Sequence, residues 1–291
     1  MPIVHLPVLA REVNELLALQ KGGIYVDATV GLGGHSEMML NMIGQDGRVI
    51  GLDRDEAALK KTAERLNDNR VTLKKTTFSS MEESMHSLGI HSVDGILFDL
   101  GVSMMQLRDA ARGFSFLSEE RLDMRMDSAL SFSAWDVVNT YSEEELVRIL
   151  REYGEEFRAA RIVRAVMRSR EEKTIDTCAE LAGIVSRAVG RSGRTHPATR
   201  VFQAIRIEVN RELDELRTGL DASLRMLKQG GRLCVISYHS LEDRIVKNFM
   251  RDNAKAGHVR QLTKKPIVAS REEMRVNPSS RSAKLRGAEK A

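Results

Sequence analysis

Cysteine is nearly absent from this sequence, and the two present, Cys178 and Cys234, lie far apart and outside any C-x-x-C pattern. That excludes a disulfide framework and a thiolate zinc site, and leaves both as ordinary residues of apolar segments. The seven histidines show no H-E-x-x-H or comparable spacing, so no metal is expected. Long apolar runs are also missing: no stretch approaches the roughly 18 to 20 residues of a membrane helix. The opening segment Met1 to Pro7 lacks the basic and apolar regions of a secretory leader. A cytoplasmic protein with no membrane partner is expected. There is no internal repeat and no low-complexity segment.

What is present is ordinary globular composition, 42% hydrophobic and 30% charged over 291 residues, enough for one large domain or two average ones. The charge is uneven. Of the formal +4, residues 255–291 carry +7, from ten Lys/Arg against three Asp/Glu, which leaves −3 on the rest. A basic tail suits a polyanion, because each neutralised phosphate releases condensed counterions. The plainer reading is a solvated tail.

Strand and helix signals alternate through the first hundred residues. Ile24 to Ala28 reads as a strand, Gly34 to Ile43 as a helix, Val49 to Asp53 as a second strand, and Asp55 to Leu66 as a helix capped by Asp55. Val71 to Lys74, a helix over Ser80 to Leu88, and the strand Val93 to Asp99 follow. Such spacing predicts βαβ units and a parallel sheet that binds ligands at its carboxyl edge. From about 106 to 198 no strand is evident. Ser142 with Glu145 and Thr177 with Glu180 read as capping boxes of helices. Pro197 suits the first turn of one long helix running to about Lys228 and ended by Gly230-Gly231. The pattern then resumes with a strand over Arg232 to Tyr238 and a helix from Leu241 to Asn253, and residues 258–268 read as a closing hairpin. The expected fold class is α/β, a doubly wound domain (1–105 and 199–291) interrupted by an all-helical insertion (106–198).

The segment Asp27-Ala28-Thr29-Val30-Gly31-Leu32-Gly33-Gly34-His35-Ser36 joins a strand to a helix. Its glycines permit close backbone approach to a ligand. Asp53, at the end of the second strand, is placed to accept hydrogen bonds from ribose hydroxyls, so a nucleoside-bearing cofactor is implied. A dinucleotide fingerprint needs glycine or alanine where Ser36 stands, which weakens the nicotinamide reading. S-adenosylmethionine has no pyrophosphate, and Asp27 suits its ammonium group. Phe78 after the third strand offers an aromatic edge to adenine or packs in the core. Asp99 ends the fourth strand beside the reactive end of such a cofactor, or caps a helix there.

These segments, with His5 to Leu9, Gly51 to Asp55, Asp99-Leu100-Gly101-Val102-Ser103, Arg112-Gly113-Phe114-Ser115-Phe116, Leu122 to Asp127, Phe202 to Ile207, His239-Ser240-Leu241-Glu242-Asp243-Arg244 and Arg281 to Arg286, resemble the MraW family almost end to end. The resemblance implies a Rossmann-like, S-adenosylmethionine-dependent methyltransferase with an inserted helical domain. It also implies methylation at N4 of a cytidine in the decoding region of 16S rRNA, as free RNA or within the small ribosomal subunit. Donor contacts would fall on Gly33, Gly34, His35, Asp53, Phe78, Asp99 and Gln106, with Asp99 as the catalytic acceptor beside the target amine. Phe114, Phe116, Tyr238 or His239 would support the extruded base, and Arg244, Arg281, Lys284 and Arg286 would meet phosphates. The chain departs from the family at Met104-Met105, where Ser-Pro is usual, at Arg108, where an acid is usual, and at Ser279, where arginine is usual. A nicotinamide dehydrogenase and a non-catalytic RNA-binding assembly factor are the rival classes; monomer and homodimer both remain open.

Overall fold

A computed structural model describes residues 7–190 and 196–291. His5 and Leu6, the start of the first family segment, lie outside the described residues. Among the described residues eight strands form one sheet: β1 Ile24–Asp27, β2 Arg48–Asp53, β3 Val71–Lys75, β4 Val93–Asp99, β5 Leu227–Ser237, β6 Val259–Gln261, β7 Ile267–Val268 and β8 Lys284–Lys290. Their order is β3-β2-β1-β4-β5-β8-β6, with β7 also on β8, and β1 to β5 run parallel. The chain winds outward from β1 to β3 and returns to place β4 on the other side of β1. That reversal opens a crevice at the carboxyl ends of β1 and β4.

Alternate residues of each strand feed different cores. Val26, Ile50, Ile96, Phe98 and Val235 pack on one face with Met81, Met85, Leu220 and Val246. Tyr25, Val49, Leu97, Cys234 and Ile236 pack on the other with Val13, Leu17, Met39 and Ile43. Burial on both faces is why these strands read as nearly continuous apolar runs.

The C-terminal stretch is not a solvated tail. β8 inserts antiparallel between β5 and β6, and β6 and β7 pair with β8 rather than with each other, so the expected hairpin over 258–268 is replaced by a strand that follows it. Leu285 and Ala288 face opposite cores. Within β8 itself the charges are spent internally. Arg286 is only 5% exposed and its Nε donates to Asp243 Oδ1 at 2.7 Å, Lys284 Nζ lies 3.3 Å from Asp243 Oδ2, and Glu289 pairs with Arg232 and Arg260. Burial works against the Asp243 carboxylate, yet its bonds from Arg286 and Lys284 hold it below the ordinary range.

The chain separates into two compact units, one of residues 1–101 and 213–291, the other of residues 102–212. The second unit is helical, with helices Met104–Arg108, Ala134–Thr140, Glu143–Glu152, Ala159–Glu172, Cys178–Val189 and Thr199–Asn210 around a core that includes Leu122, Val137, Ile149, Ile162, Leu181, Val185, Phe202 and Ile205. Ser142 and Thr177 cap their helices reciprocally with Glu145 and Glu180, as their spacing indicates. The long helix expected from Pro197 to Lys228 is two helices. Arg211, at φ 50°, breaks it into Thr199–Asn210 and Glu212–Met226, and Lys228 and Gly230 already belong to β5. Asn210 is fixed there by its side-chain amide, which donates to Met124 O and accepts from Met126 N, both at 2.7 Å. The helix Thr199–Asn210 therefore packs in the helical unit, and the boundaries fall at 101/102 and 212/213 in place of 105/106 and 198/199.

Candidate active site

The crevice beside β1 is floored by Asp27, which is 1% exposed. Ser36 Oγ donates to its Oδ2 at 2.8 Å and Thr29 N to its Oδ1 at 3.3 Å. Ser36, the residue that departs from the dinucleotide fingerprint, thus ties the following helix to the strand end. Burial pushes the Asp27 carboxyl up, with His35, Ser36 and Thr29 acting in opposition. Asp27 is a strut beneath the loop. It does not present the open carboxylate expected for an ammonium ligand.

Gly33 adopts φ 78° at the start of the helix Gly34–Ile43, and a Cβ there would lie 2.9 Å from Thr62 Cγ2. The loop can run this close to the helix Glu56–Leu66 only without a side chain. Asp53 closes the opposite wall. Its Oδ2 accepts from Gly31 N and its Oδ1 from Asp55 N, each at 2.9 Å, and burial pushes its carboxyl up to about 6. Asp55 caps the following helix by accepting from Ala57 N at 3.1 Å. Phe78 is half-buried after β3, edge-on to Phe98 at 5.0 Å between ring centroids.

Asp99 ends β4 next to this loop because β1 and β4 are adjacent. Its backbone N donates to Thr29 Oγ1 at 2.6 Å, the Tyr238 hydroxyl donates to its Oδ1 at 2.7 Å, and His35 Nε2 lies 3.6 Å from its Oδ2. Burial, then the neighbouring Asp99 charge, push the Tyr238 phenol far above its ordinary range, so it remains a donor. His35 is 5% exposed, and neither ring nitrogen has a hydrogen-bond partner among the described residues. An imidazole held this way awaits a polar group from outside the protein.

The fold therefore gathers Gly33, Gly34, His35, Asp53, Phe78 and Asp99 along one sheet edge and adds Tyr238 to them. Gln106 lies in the helical unit, where it is buried in a reciprocal box with Ser103: Ser103 N donates to Gln106 Oε1 at 3.0 Å, and Gln106 N to Ser103 Oγ at 3.2 Å. Met104-Met105 thus start a well-capped helix despite the departure from the family pattern. His239 caps the helix Ser240–Lys255 through Nδ1, and buried Glu242 returns to accept from Tyr238 N at 2.8 Å. Phe114 belongs to the helical core, while Phe116 stacks on His196 with centroids 4.4 Å apart. Arg244 and Arg281 are exposed, whereas Lys284 and Arg286 converge on Asp243. Sequence reasoning missed the bracing roles of Thr29, Ser36 and Glu242. Only for Glu242 was there a signal, the capping spacing from His239.

A doubly wound sheet with its switch at β1/β4, a glycine loop at that switch and carboxylates ending β2 and β4 define an S-adenosylmethionine-dependent methyltransferase of Rossmann-like fold with a helical insertion. A model of the MraW methylase family matches residues 2–291, and the chain belongs to that family. Ribosomal RNA small subunit methyltransferase H of Caldicellulosiruptor bescii is 48% identical, over 98% of this chain and 99% of that one. Its counterpart from Persephonella marina is 48% identical over 99% of each chain, and that from Clostridioides difficile 42% over 98% of each. Among solved structures, a putative rRNA-methylase from Clostridium thermocellum aligns at a TM-score of 0.49 and 15% identity over 99% of this chain and 100% of that one, a likeness too loose to bear on function.

Proposed function

We propose that this protein methylates N4 of a cytidine in the decoding region of 16S rRNA, working in the cytoplasm on the small ribosomal subunit. Full-length similarity to rRNA small subunit methyltransferases supports the substrate. The observation that carries the chemistry is Asp99, a strand-end carboxylate fixed on one oxygen by Tyr238 and on its backbone N by Thr29.

When bound, S-adenosylmethionine supplies a methyl group already activated on a sulfonium centre. Asp53 would accept from its ribose hydroxyls, Phe78 would lie against adenine, and the Gly33-Gly34-His35 turn would take the amino-acid end. The protein's task is then alignment of nitrogen, methyl carbon and sulfur. Cytosine N4 is a weak nucleophile because its lone pair is delocalised into the ring. Asp99 Oδ2, the oxygen not taken by Tyr238, accepts a hydrogen bond from that amine and relieves the positive charge it gains. Tyr238 and His239 serve this centre and its helix cap more directly than as stacking partners for a base. Arg244 and Arg281 remain phosphate contacts in this reading. Buried Arg286 and its neighbour Lys284 do not, since both face Asp243.

Mass mapping of 16S rRNA from cells lacking the protein tests the proposal. One N4-methylcytidine should disappear and return with the wild-type gene; an unchanged map rejects it.

A further inference from the structure

Two segments of the helical unit are rich in arginine and contain no other charge. Residues 157–170 hold five arginines and residues 187–200 hold four, with no lysine, aspartate or glutamate in either. The fold brings their ends together. The helices Ala159–Glu172 and Cys178–Val189 form a hairpin, and Arg158 Nη1 donates across it to Val189 O at 3.3 Å. Arg200 Nη1 donates to Glu155 O at 3.1 Å, and its guanidinium lies 5.9 Å from the centroid of the Phe157 ring.

On the helix Ala159–Glu172, Ile162, Val163 and Val166 are buried, while Arg161, Arg164 and Arg168 are exposed at spacings that share one face. Among the described residues, Arg161, Arg164, Arg168, Arg187 and Arg200 make no ion pair with an acidic side chain. Phe157 at the head of this stripe is 89% exposed, the most exposed large apolar side chain described. The acids of this helix, Glu171 and Glu172, stand only in its last turn, so the stripe ahead of them is of one sign.

We propose that this face, headed by Phe157 and continued by Arg161, Arg164 and Arg168, docks an unpaired segment of the RNA substrate. The inference rests on the reading that the substrate is rRNA. Arginine in place of lysine throughout favours a phosphate backbone, because the guanidinium fork binds phosphate oxygens bidentately and also stacks on bases. The exposed ring supplies a stacking platform, which only a strand with unstacked bases can use. In the C-terminal stretch, by contrast, Lys284 and Arg286 are spent on Asp243 and Arg260 on Glu289.

The test compares the full chain with R161Q/R164Q/R168Q, with F157A and with a K60Q/K61Q control, which removes exposed lysines elsewhere. The probes are 16S rRNA, an unpaired oligoribonucleotide, and a duplex of the same length. The triple variant should flatten the slope of log affinity against log salt by about two, at roughly 0.7 for each phosphate no longer neutralised. It should raise KM for RNA more than about ten-fold while leaving kcat and the donor Kd unchanged. F157A should weaken the unpaired oligonucleotide about ten-fold and the duplex little. An unchanged slope and KM in the triple variant overturns the proposal, as does an F157A loss equal on duplex and single strand. Arginine-dependent binding to phosphatidylserine vesicles with no effect on RNA also overturns it. If wild-type protein binds RNA through this face yet transfers no methyl group to small-subunit rRNA, the activity reading fails and the docking surface stands.

Discussion

The Tyr238 hydroxyl donates to Asp99 Oδ1 at 2.7 Å, across the ends of two neighbouring parallel strands. This bond occupies one carboxylate oxygen; the other, with His35 Nε2 3.6 Å away, is the one proposed to meet an incoming amine. Removing the carboxylate should matter far more than removing the hydroxyl. Asp99→Ala should lower single-turnover methyl transfer by about 10²–10³-fold, the scale seen when a preorganised group at developing charge is lost. Tyr238→Phe should cost less than about ten-fold, since a single hydrogen bond is worth about 1 kcal/mol net. Asp99→Ala with full turnover and unaltered donor affinity would contradict the assigned role.

Asp53 gives a pH dependence with a worked sign. Burial lifts its carboxyl to about 6, so below that pH it is protonated in the folded protein and offers ribose one acceptor fewer. Donor affinity measured by calorimetry should therefore fall between about pH 7.5 and about pH 5, and Asp53→Asn should flatten that dependence. Ligand-free stability runs the other way. A raised folded pKa favours the protonated form, so the Asp53 contribution is present below the unfolded value near 4 and is lost as pH rises through about 6. The wild-type minus Asp53→Asn difference in unfolding free energy should show that trend.

Gly33→Ala should combine two penalties, a left-handed backbone at φ 78° and a Cβ 2.9 Å from Thr62 Cγ2 and 3.1 Å from Leu66 Cδ1. Gly89, at φ 70° with nothing within 4 Å of where a Cβ would stand, meets only the first. Gly89→Ala should thus cost about 1 kcal/mol and Gly33→Ala clearly more, with weakened donor binding only in the latter. Denaturant unfolding and donor calorimetry on the pair separate the two effects; equal costs would mean that loop packing is not the constraint.

Arg286→Met should act on stability and leave RNA binding alone. The guanidinium is buried against Asp243, and its loss leaves that carboxylate with Lys284 only. A cost of roughly 2–4 kcal/mol is expected in urea unfolding, somewhat below that of breaking a fully buried pair. The salt slope for RNA should not change. A flatter slope with unaltered stability would return Arg286 to the phosphate contacts.

By itself the sequence determined the local periodicities and the chemistry placed at their ends. The first four strands, the helices between them, the Asp55 cap and the boxes at Ser142 and Thr177 were legible because each depends on residues within a few positions of one another. The ordered family segments then pointed to the family, which the full-length match bears out.

Only the tertiary structure decided which charges are free. The C-terminal arginines and lysines look like a tail until β8 pairs with β5, a strand more than forty residues away in sequence, and that pairing carries Arg286 inside against Asp243. The break at Arg211 had no glycine or proline to announce it; buried Asn210, hydrogen-bonded to Met124 and Met126, fixes where the first helix ends. Asp27 and Asp99 both end strands, yet one is sealed beneath the loop by Ser36 and the other is held at the crevice by Tyr238. Residue type placed a carboxylate at each strand end, and packing against distant residues sealed one of them and held the other at the crevice.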